Sequence, residues 1–219
     1  MLYFLKNGAS FFQKRQENVL SAAFVIAVAV ALSRILGLVR YRLLAAHFGG
    51  DIQLLDSFIA ASILPEAIFE VLIFGSIALA FIPVFSQYVS QQKLKKAWQY
   101  SSEMITLGFV VFLVFMLVII LLADYIAPLI APGLVSKDPN TKIIIARLLR
   151  IMIFAQAFFV LSIFVTGILQ SFQRFLVPAM ASVFYNVGII LSIIFLVPPL
   201  GIYAPAVGMI LGALLHLVV

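Results

Sequence analysis

The residues best suited to chemistry are three arginines, Arg34, Arg40 and Arg42, inside the first long apolar run at about residues 19–46. An ionisable side chain at membrane depth costs at least about 2.5–3.5 kcal/mol on insertion scales and usually faces a partner or a cavity. The planar guanidinium stays charged and binds phosphate oxygens through two parallel hydrogen bonds. These arginines therefore predict a hydrated cavity that grips an anionic headgroup.

Helical geometry decides whether the three arginines face one another. At 100° per residue, the side chains of Arg34 and Arg42 lie about 80° apart. Arg40 points to another face of the helix, together with Ser33 and Gly37. A bend at Gly37 would bring the arginines together, which makes Gly37 a candidate hinge and Ser33 a candidate cavity residue.

The second apolar run, at about residues 54–88, carries three carboxylates. An ideal helix places Asp56, Glu66 and Glu70 within about 80° of one another. One interpretation is that they pair with the arginines and only hold two helices together, while Arg40 and Arg42 extend to the outer headgroups. The other is a functional cavity, in which Glu66 and Glu70 bind a cation or pair with the arginines.

The composition indicates an all-α integral membrane protein. Of 219 residues, 65% are hydrophobic and 10% are charged, whereas a soluble domain is about half apolar and a quarter charged. The net charge of +6 suits membrane lipids and topology signals rather than nucleic acid. The sequence has no cysteine, no metal-ligand cluster, no phosphate-binding glycine loop and no nucleophile near a histidine. We therefore expect a transporter without metal or cofactor rather than an enzyme.

About six transmembrane helices are predicted, because a span needs roughly 20 apolar residues. The predicted spans cover about residues 19–46, 54–88, 97–123, 141–172 and 177–197, and the sixth starts near residue 204. The second run is too long for one straight helix, and Pro65, Gly75 and Pro83 interrupt it. Since proline removes a backbone donor and clashes with the preceding turn, we expect hinges at Pro65 and Gly75.

Basic residues predict the orientation of these spans. They cluster before the first span, between the second and third, and between the fourth and fifth: Lys6, Lys14, Arg15, Lys93, Lys95, Lys96 and Arg174. Because such loops stay in the cytoplasm, residues 1–17 are predicted to be an amphipathic cytoplasmic segment and residues 18–219 a six-helix lobe. The last span has no basic flank or polar tail, so we expect a chain truncated in its last helix. An ordinary C-terminal helix is the alternative.

The residues 33–40, SRILGLVR, resemble the first-helix signature S-R-[VI]-L-G-x-x-R of the MurJ/MviN lipid II flippases. The second run resembles that family's second helix in DSF at 56–58, LP at 64–65, the glycine at 75 and AFIP at 80–83. The APG of residues 131–133 resembles a turn of the family. This chain also resembles the family's fourth and fifth helices, in GILQ at 167–170, RF at 174–175, Pro178 and Asn186. In this order the motifs cover nearly all of residues 18–219.

The resemblance implies the fold of the multidrug/oligosaccharidyl-lipid/polysaccharide exporter superfamily, with two six-helix lobes around a central cavity. This chain would be the first lobe, and the missing C-terminal lobe an expected partner. By the same resemblance, Arg34 and Arg40 match arginines required for flipping, and Asp56 matches an aspartate at the cavity mouth. The implied substrate is lipid II, an undecaprenyl-diphosphate-linked peptidoglycan precursor that crosses from the inner to the outer leaflet of the bacterial cytoplasmic membrane.

Several positions depart from the family pattern. Ile63 replaces a lysine, Phe69 and Glu70 replace basic residues, Phe74 replaces an acid, and Tyr41 stands where aspartate often follows the signature arginine. These differences leave room for an exporter of another polyprenyl-linked glycan. Further alternatives are a cation-coupled drug antiporter, using Asp56, Glu66 or Glu70, and a non-transporting scaffold or remnant lobe. A membrane transferase is disfavoured because the loops carry no clustered catalytic set.

Overall fold

The structure, a computed structural model, describes residues 19–70 and 80–219. Within these residues the chain forms eight helices, numbered here in chain order: α1 Val19–Phe48, α2 Ile52–Phe69, α3 Ile82–Ser90, α4 Leu94–Ile130, α5 Pro132–Lys137, α6 Pro139–Ser171, α7 Leu176–Leu200 and α8 Tyr203–Val218. The expected amphipathic segment 1–17 and the candidate hinge Gly75 lie outside the described residues.

The helices follow the predicted spans closely, with two differences. The described parts of the predicted run 54–88 form α2 and α3, and Pro83 lies in the first turn of α3, where its missing N–H leaves no hydrogen bond unmade. Pro65 does not end α2, which continues to Phe69. The third span is longer than predicted, because the helix of α4 continues beyond residue 123 through an apolar stretch to Ile130.

Burial shows that the bilayer is the solvent of this fold. Among the described residues, α4, α6 and α7 are long and apolar enough to cross a membrane, and α8 is a shorter apolar helix. The most apolar window of α4 has the highest hydropathy of the three, yet only 11% of it is buried inside the protein, against 44% for α6. Such a surface requires lipid around it, so the chain is an all-α integral membrane protein. The count of six spans stays a prediction.

Two aspartates fix where α2 and α6 begin. The carboxylate of Asp51 accepts a hydrogen bond from the backbone N–H of Leu54 at 3.2 Å, and that of Asp138 accepts from Asn140 at 2.9 Å. Each satisfies a backbone donor that a helix start leaves unpaired. The Gln53 side-chain amide then donates to the Thr141 hydroxyl at 2.6 Å. The two helices therefore start side by side.

Glycines bring α7 and α8 into close backbone contact. A Cβ atom built on Gly188 would lie 2.5 Å from the Cα of Gly212, and one built on Gly212 would lie 2.5 Å from the backbone oxygen of Tyr185. One on Gly208 would lie 2.9 Å from the Cα of Ile189. Small residues allow this approach, which is a common way of packing helices in membranes. The hairpin of α7 and α8 is consequently a rigid support for Tyr185.

We expect Gly212→Ala to destabilise the protein by about 2 kcal/mol, because the added methyl group meets backbone rather than a flexible side chain. Thermal unfolding in detergent measures this loss. The matched control is Gly133→Ala, since a Cβ at Gly133 meets no heavy atom within 4 Å. Equal unfolding temperatures for the two variants would show that the α7–α8 contact is not as close as described.

Candidate functional site

The main candidate site is a pocket of about 670 Å³ between α1 and α7. Its wall is formed by Val30, Ser33, Arg34, Gly37, Leu38, Arg40 and Tyr41 from α1, and by Ser182, Tyr185 and Asn186 from α7. Four residues predicted from the sequence therefore share one wall: Ser33, Arg34, Gly37 and Arg40. We call this space the arginine pocket.

Helical periodicity explains why these residues meet. On α1 most of the wall residues recur every three or four positions, as do Ser182, Tyr185 and Asn186 on α7. The α1 residues form one broad face, with Arg34 and Arg40 at its two edges, about 120° apart at 100° per residue. The helix α1 is continuous through Gly37, and a Cβ there would meet nothing within 4 Å. Gly37 thus borders open space. The long side chains of Arg34 and Arg40 reach the same pocket without a break in the helix.

Hydrogen bonds from Asn186 hold α1 against α7 at the base of the pocket. Its side-chain amide donates to the backbone oxygen of Ser33 at 3.2 Å, to the Ser33 hydroxyl at 3.1 Å and to the backbone oxygen of Ser182 at 3.1 Å. The Ser33 hydroxyl donates in turn to the Ser182 backbone oxygen at 3.3 Å. Asn186 therefore joins α7 to α1, and the Ser33 hydroxyl is engaged in the same contact.

Among the described residues, the arginines of α1 form no close ion pair with the acids of α2. Within the described part of the chain one ion pair is present, between Arg150 of α6 and Asp124 of α4 at 2.7 Å. Arg34 is exposed, and Arg40 is half-buried with its guanidinium carbon 4.7 Å from the centre of the Tyr41 ring. Cation–π contact stabilises the charge of Arg40 without occupying its hydrogen-bond donors in the way a carboxylate does. The guanidinium groups of Arg34 and Arg40 can therefore bind an anion.

A second, smaller space adjoins the arginine pocket. It has a volume of about 100 Å³ and shares Arg40, Tyr41 and Tyr185 with it. Its other lining residues come from α1, α2, α7 and α8: Leu44, Phe58, Ile59, Ser62, Glu66, Ile189 and Met209. We call it the Glu66 pocket. Arg40 therefore stands between an open basic space and a narrow space that contains a carboxylate.

Some residues predicted from the sequence lie apart from both pockets. Arg42 and Asp56 are exposed and line neither one. Glu70 is exposed at the end of α2, and Pro65 is buried inside that helix. Their roles in binding or bending stay predictions.

Tyr185, like Ser182, is a wall residue that the sequence analysis did not identify. Its ring packs edge-to-face on Phe159 of α6, with ring centres 4.9 Å apart. The only sequence signal was an aromatic residue with a polar tip beside Asn186 in an otherwise apolar span. Phe159 also contacts the ring of His216, which is hydrogen-bonded to the Ser162 hydroxyl at 2.5 Å. His216 is therefore a hydrogen-bonded packing residue.

Comparisons with solved structures and known sequences show which proteins share this architecture. The chain superposes on a solved lipid II flippase MurJ in its inward closed conformation, with a TM-score of 0.65 and 26% sequence identity. The superposition covers 89% of this chain and 40% of that one. The shared fold is thus one part of a longer transporter.

Two curated relatives agree with this result. A probable lipid II flippase MurJ of Buchnera aphidicola is 31% identical over 182 residues, which are 81% of this chain and 34% of the relative. The lipid II flippase MurJ of Burkholderia cenocepacia is 29% identical over 204 residues, 92% of this chain and 39% of the relative. The chain spans a little over a third of the length of these relatives. The family model of lipid II flippase MurJ matches residues 44–219, and the chain therefore belongs to this family of transporters.

Proposed function

We propose that this chain is the N-terminal lobe of a flippase that moves lipid II from the inner to the outer leaflet of the bacterial cytoplasmic membrane. The observation that carries the proposal is the arginine pocket, where Arg34 and Arg40 line one space and neither forms an ion pair among the described residues. A guanidinium binds a diphosphate through paired, charge-assisted hydrogen bonds. The pocket suits an anionic lipid headgroup better than a cation or a neutral drug.

The remaining parts of the transport cycle follow from this site. The diphosphate and its glycan occupy the arginine pocket, and the polyprenyl tail stays in the bilayer. The basic residues between the predicted spans, among them Lys93 and Arg174, support an N-terminus in the cytoplasm. The expected C-terminal lobe closes the opposite side of the cavity. The two lobes rock against each other, so that the cavity opens in turn to the two sides of the membrane.

Membrane potential favours transport in the outward direction. Moving one negative charge outward across an inside-negative membrane releases about 2.3 kcal/mol per 100 mV. A diphosphate carries more than one such charge, so the potential drives export unless a cation moves with the lipid. A cation antiporter that used Asp56, Glu66 or Glu70 would depend on an ion gradient instead.

The experiment is rescue of bacteria depleted of their own lipid II flippase by the gene that encodes this chain in its full natural extent. Lipid II that reaches the outer leaflet is measured in intact cells. We expect export that persists when proton and sodium gradients are removed at constant potential and stops when the potential is collapsed. Normal membrane insertion without export would contradict the proposal and favour another polyprenyl-linked substrate or a scaffold.

A further inference from the structure

The carboxylate of Glu66 has a place in the cavity wall that the proposed function does not use. It lines the narrow Glu66 pocket together with Arg40 of the neighbouring helix. No acidic residue occurs in the whole of α1, Val19–Phe48, so no carboxylate of its own helix is available to Arg40. Any resident negative charge beside Arg40 therefore has to come from a neighbour, and Glu66 is placed to supply it.

The surroundings of this pocket set the strength of the attraction between the two side chains. Its wall is largely apolar, with Leu44, Phe58, Ile189 and Met209 around the charged groups. Glu66 is nevertheless exposed and Arg40 only half-buried, so water partly screens the attraction between their charges. The two side chains share the pocket without forming a close ion pair. The arrangement is an attraction loose enough to be exchanged for another anion.

We propose that Glu66 is the resting counter-ion of Arg40, and that a headgroup binds only if it displaces this carboxylate. The inference rests on the proposed function, because it assigns a role to Glu66 at the same site. A diphosphate carries enough negative charge to compete with the carboxylate. A membrane phospholipid with one phosphate competes less well, so Glu66 keeps the far more abundant phospholipids out of the arginine pocket. A carboxylate that competes for Arg40 thus weakens the binding of the wrong lipid more than the binding of the right one.

Glu66→Gln tests this role, because it removes the charge and keeps the shape. Binding of undecaprenyl diphosphate and of phosphatidylglycerol is measured on the purified full chain in detergent. We expect phosphatidylglycerol to bind about fivefold more tightly to the variant, as suits the loss of one partly screened charge pair. The affinity for undecaprenyl diphosphate increases less, so the ratio of the two affinities, which measures the preference for the diphosphate, becomes smaller.

Two further variants separate a charge effect from a structural one. Glu103→Gln is the control for the loss of a carboxylate, since Glu103 lies on α4, is exposed and lines neither pocket. It is expected to leave the preference unchanged. In an Arg40→Ala background, Glu66→Gln should have no effect on phosphatidylglycerol, because the carboxylate acts through Arg40.

The outcomes divide between this inference and the proposed function. A diphosphate preference that survives Glu66→Gln overturns the counter-ion role and leaves lipid II transport standing. Tighter phosphatidylglycerol binding by Glu66→Gln, in a protein that shows no preference for the diphosphate over other lipids, supports the counter-ion and contradicts the proposed substrate. If Glu66→Gln still tightens the binding of phosphatidylglycerol in the Arg40→Ala background, the inference is overturned. It is also overturned if Glu66→Gln binds neither phosphatidylglycerol nor undecaprenyl diphosphate.

Discussion

Replacing Arg34 with alanine is expected to lower the export of lipid II about a hundredfold, while the amount of protein in the membrane stays unchanged. Arg34 is exposed to the arginine pocket and forms no ion pair among the described residues, so its removal leaves no buried charge unpaired. Hydrogen bonds to charged groups contribute about 1.5–3 kcal/mol each, and the loss of about 3 kcal/mol corresponds to roughly a hundredfold in binding. Lipid II in the outer leaflet of flippase-depleted cells is the quantity measured.

Two companion variants show whether the loss comes from the headgroup contact. Arg34→Lys keeps the charge but not the planar fork, so an intermediate export rate is expected. Arg147→Ala removes an exposed arginine of α6 that lines neither pocket, and it should export normally. Full export by Arg34→Ala, or an equal loss in Arg147→Ala, would remove the headgroup role from Arg34.

The helices were predictable from the sequence because their signals are local. Runs of apolar residues predict α1, α6, α7 and α8 to within a few residues, and proline at position 83 marks the beginning of α3. The extension of α4 to Ile130 was missed, since Asp124 looks like the start of a loop. In the structure that aspartate pairs with Arg150 on α6, a contact 26 residues away that no local pattern reveals.

The site was predictable only in part, because a pocket is made by pairs of helices. Residue types identified Arg34 and Arg40, but the ideal helix placed them on different faces. Their meeting depends on where α7 lies against α1, which is set by the contact of Asn186 with Ser33. For Glu66, the charge pattern suggested a pairing with the arginines of α1, but which arginine it meets depends on how α2 packs against α1.

Asn186→Ala is the second substitution for which we expect a large effect, on stability and on export together. The variant loses three hydrogen bonds that the Asn186 amide donates, two to Ser33 of α1 and one to Ser182 of α7. A hydrogen bond between membrane helices contributes about 0.6 kcal/mol on average. The expected destabilisation is therefore about 1–2 kcal/mol. Since the contact fixes α1 beside α7, the arginines lose their shared wall and export falls. Export is measured in cells, and thermal unfolding is measured on the protein purified in detergent from the same cells.

Ser33 separates the positioning role of Asn186 from direct contact with the headgroup. In Ser33→Ala the amide of Asn186 still donates to the Ser33 and Ser182 backbone oxygens, so most of the stability should remain. The double variant loses one more hydrogen bond than Asn186→Ala, the one from the Ser33 hydroxyl to the Ser182 backbone oxygen, so it should be about 0.6 kcal/mol less stable. If Asn186 only positions α1, export follows stability through the series. Asn140→Ala, at an exposed position at the start of α6, controls for the loss of an asparagine. Export that collapses in Asn186→Ala without a change in unfolding would instead place its amide on the substrate.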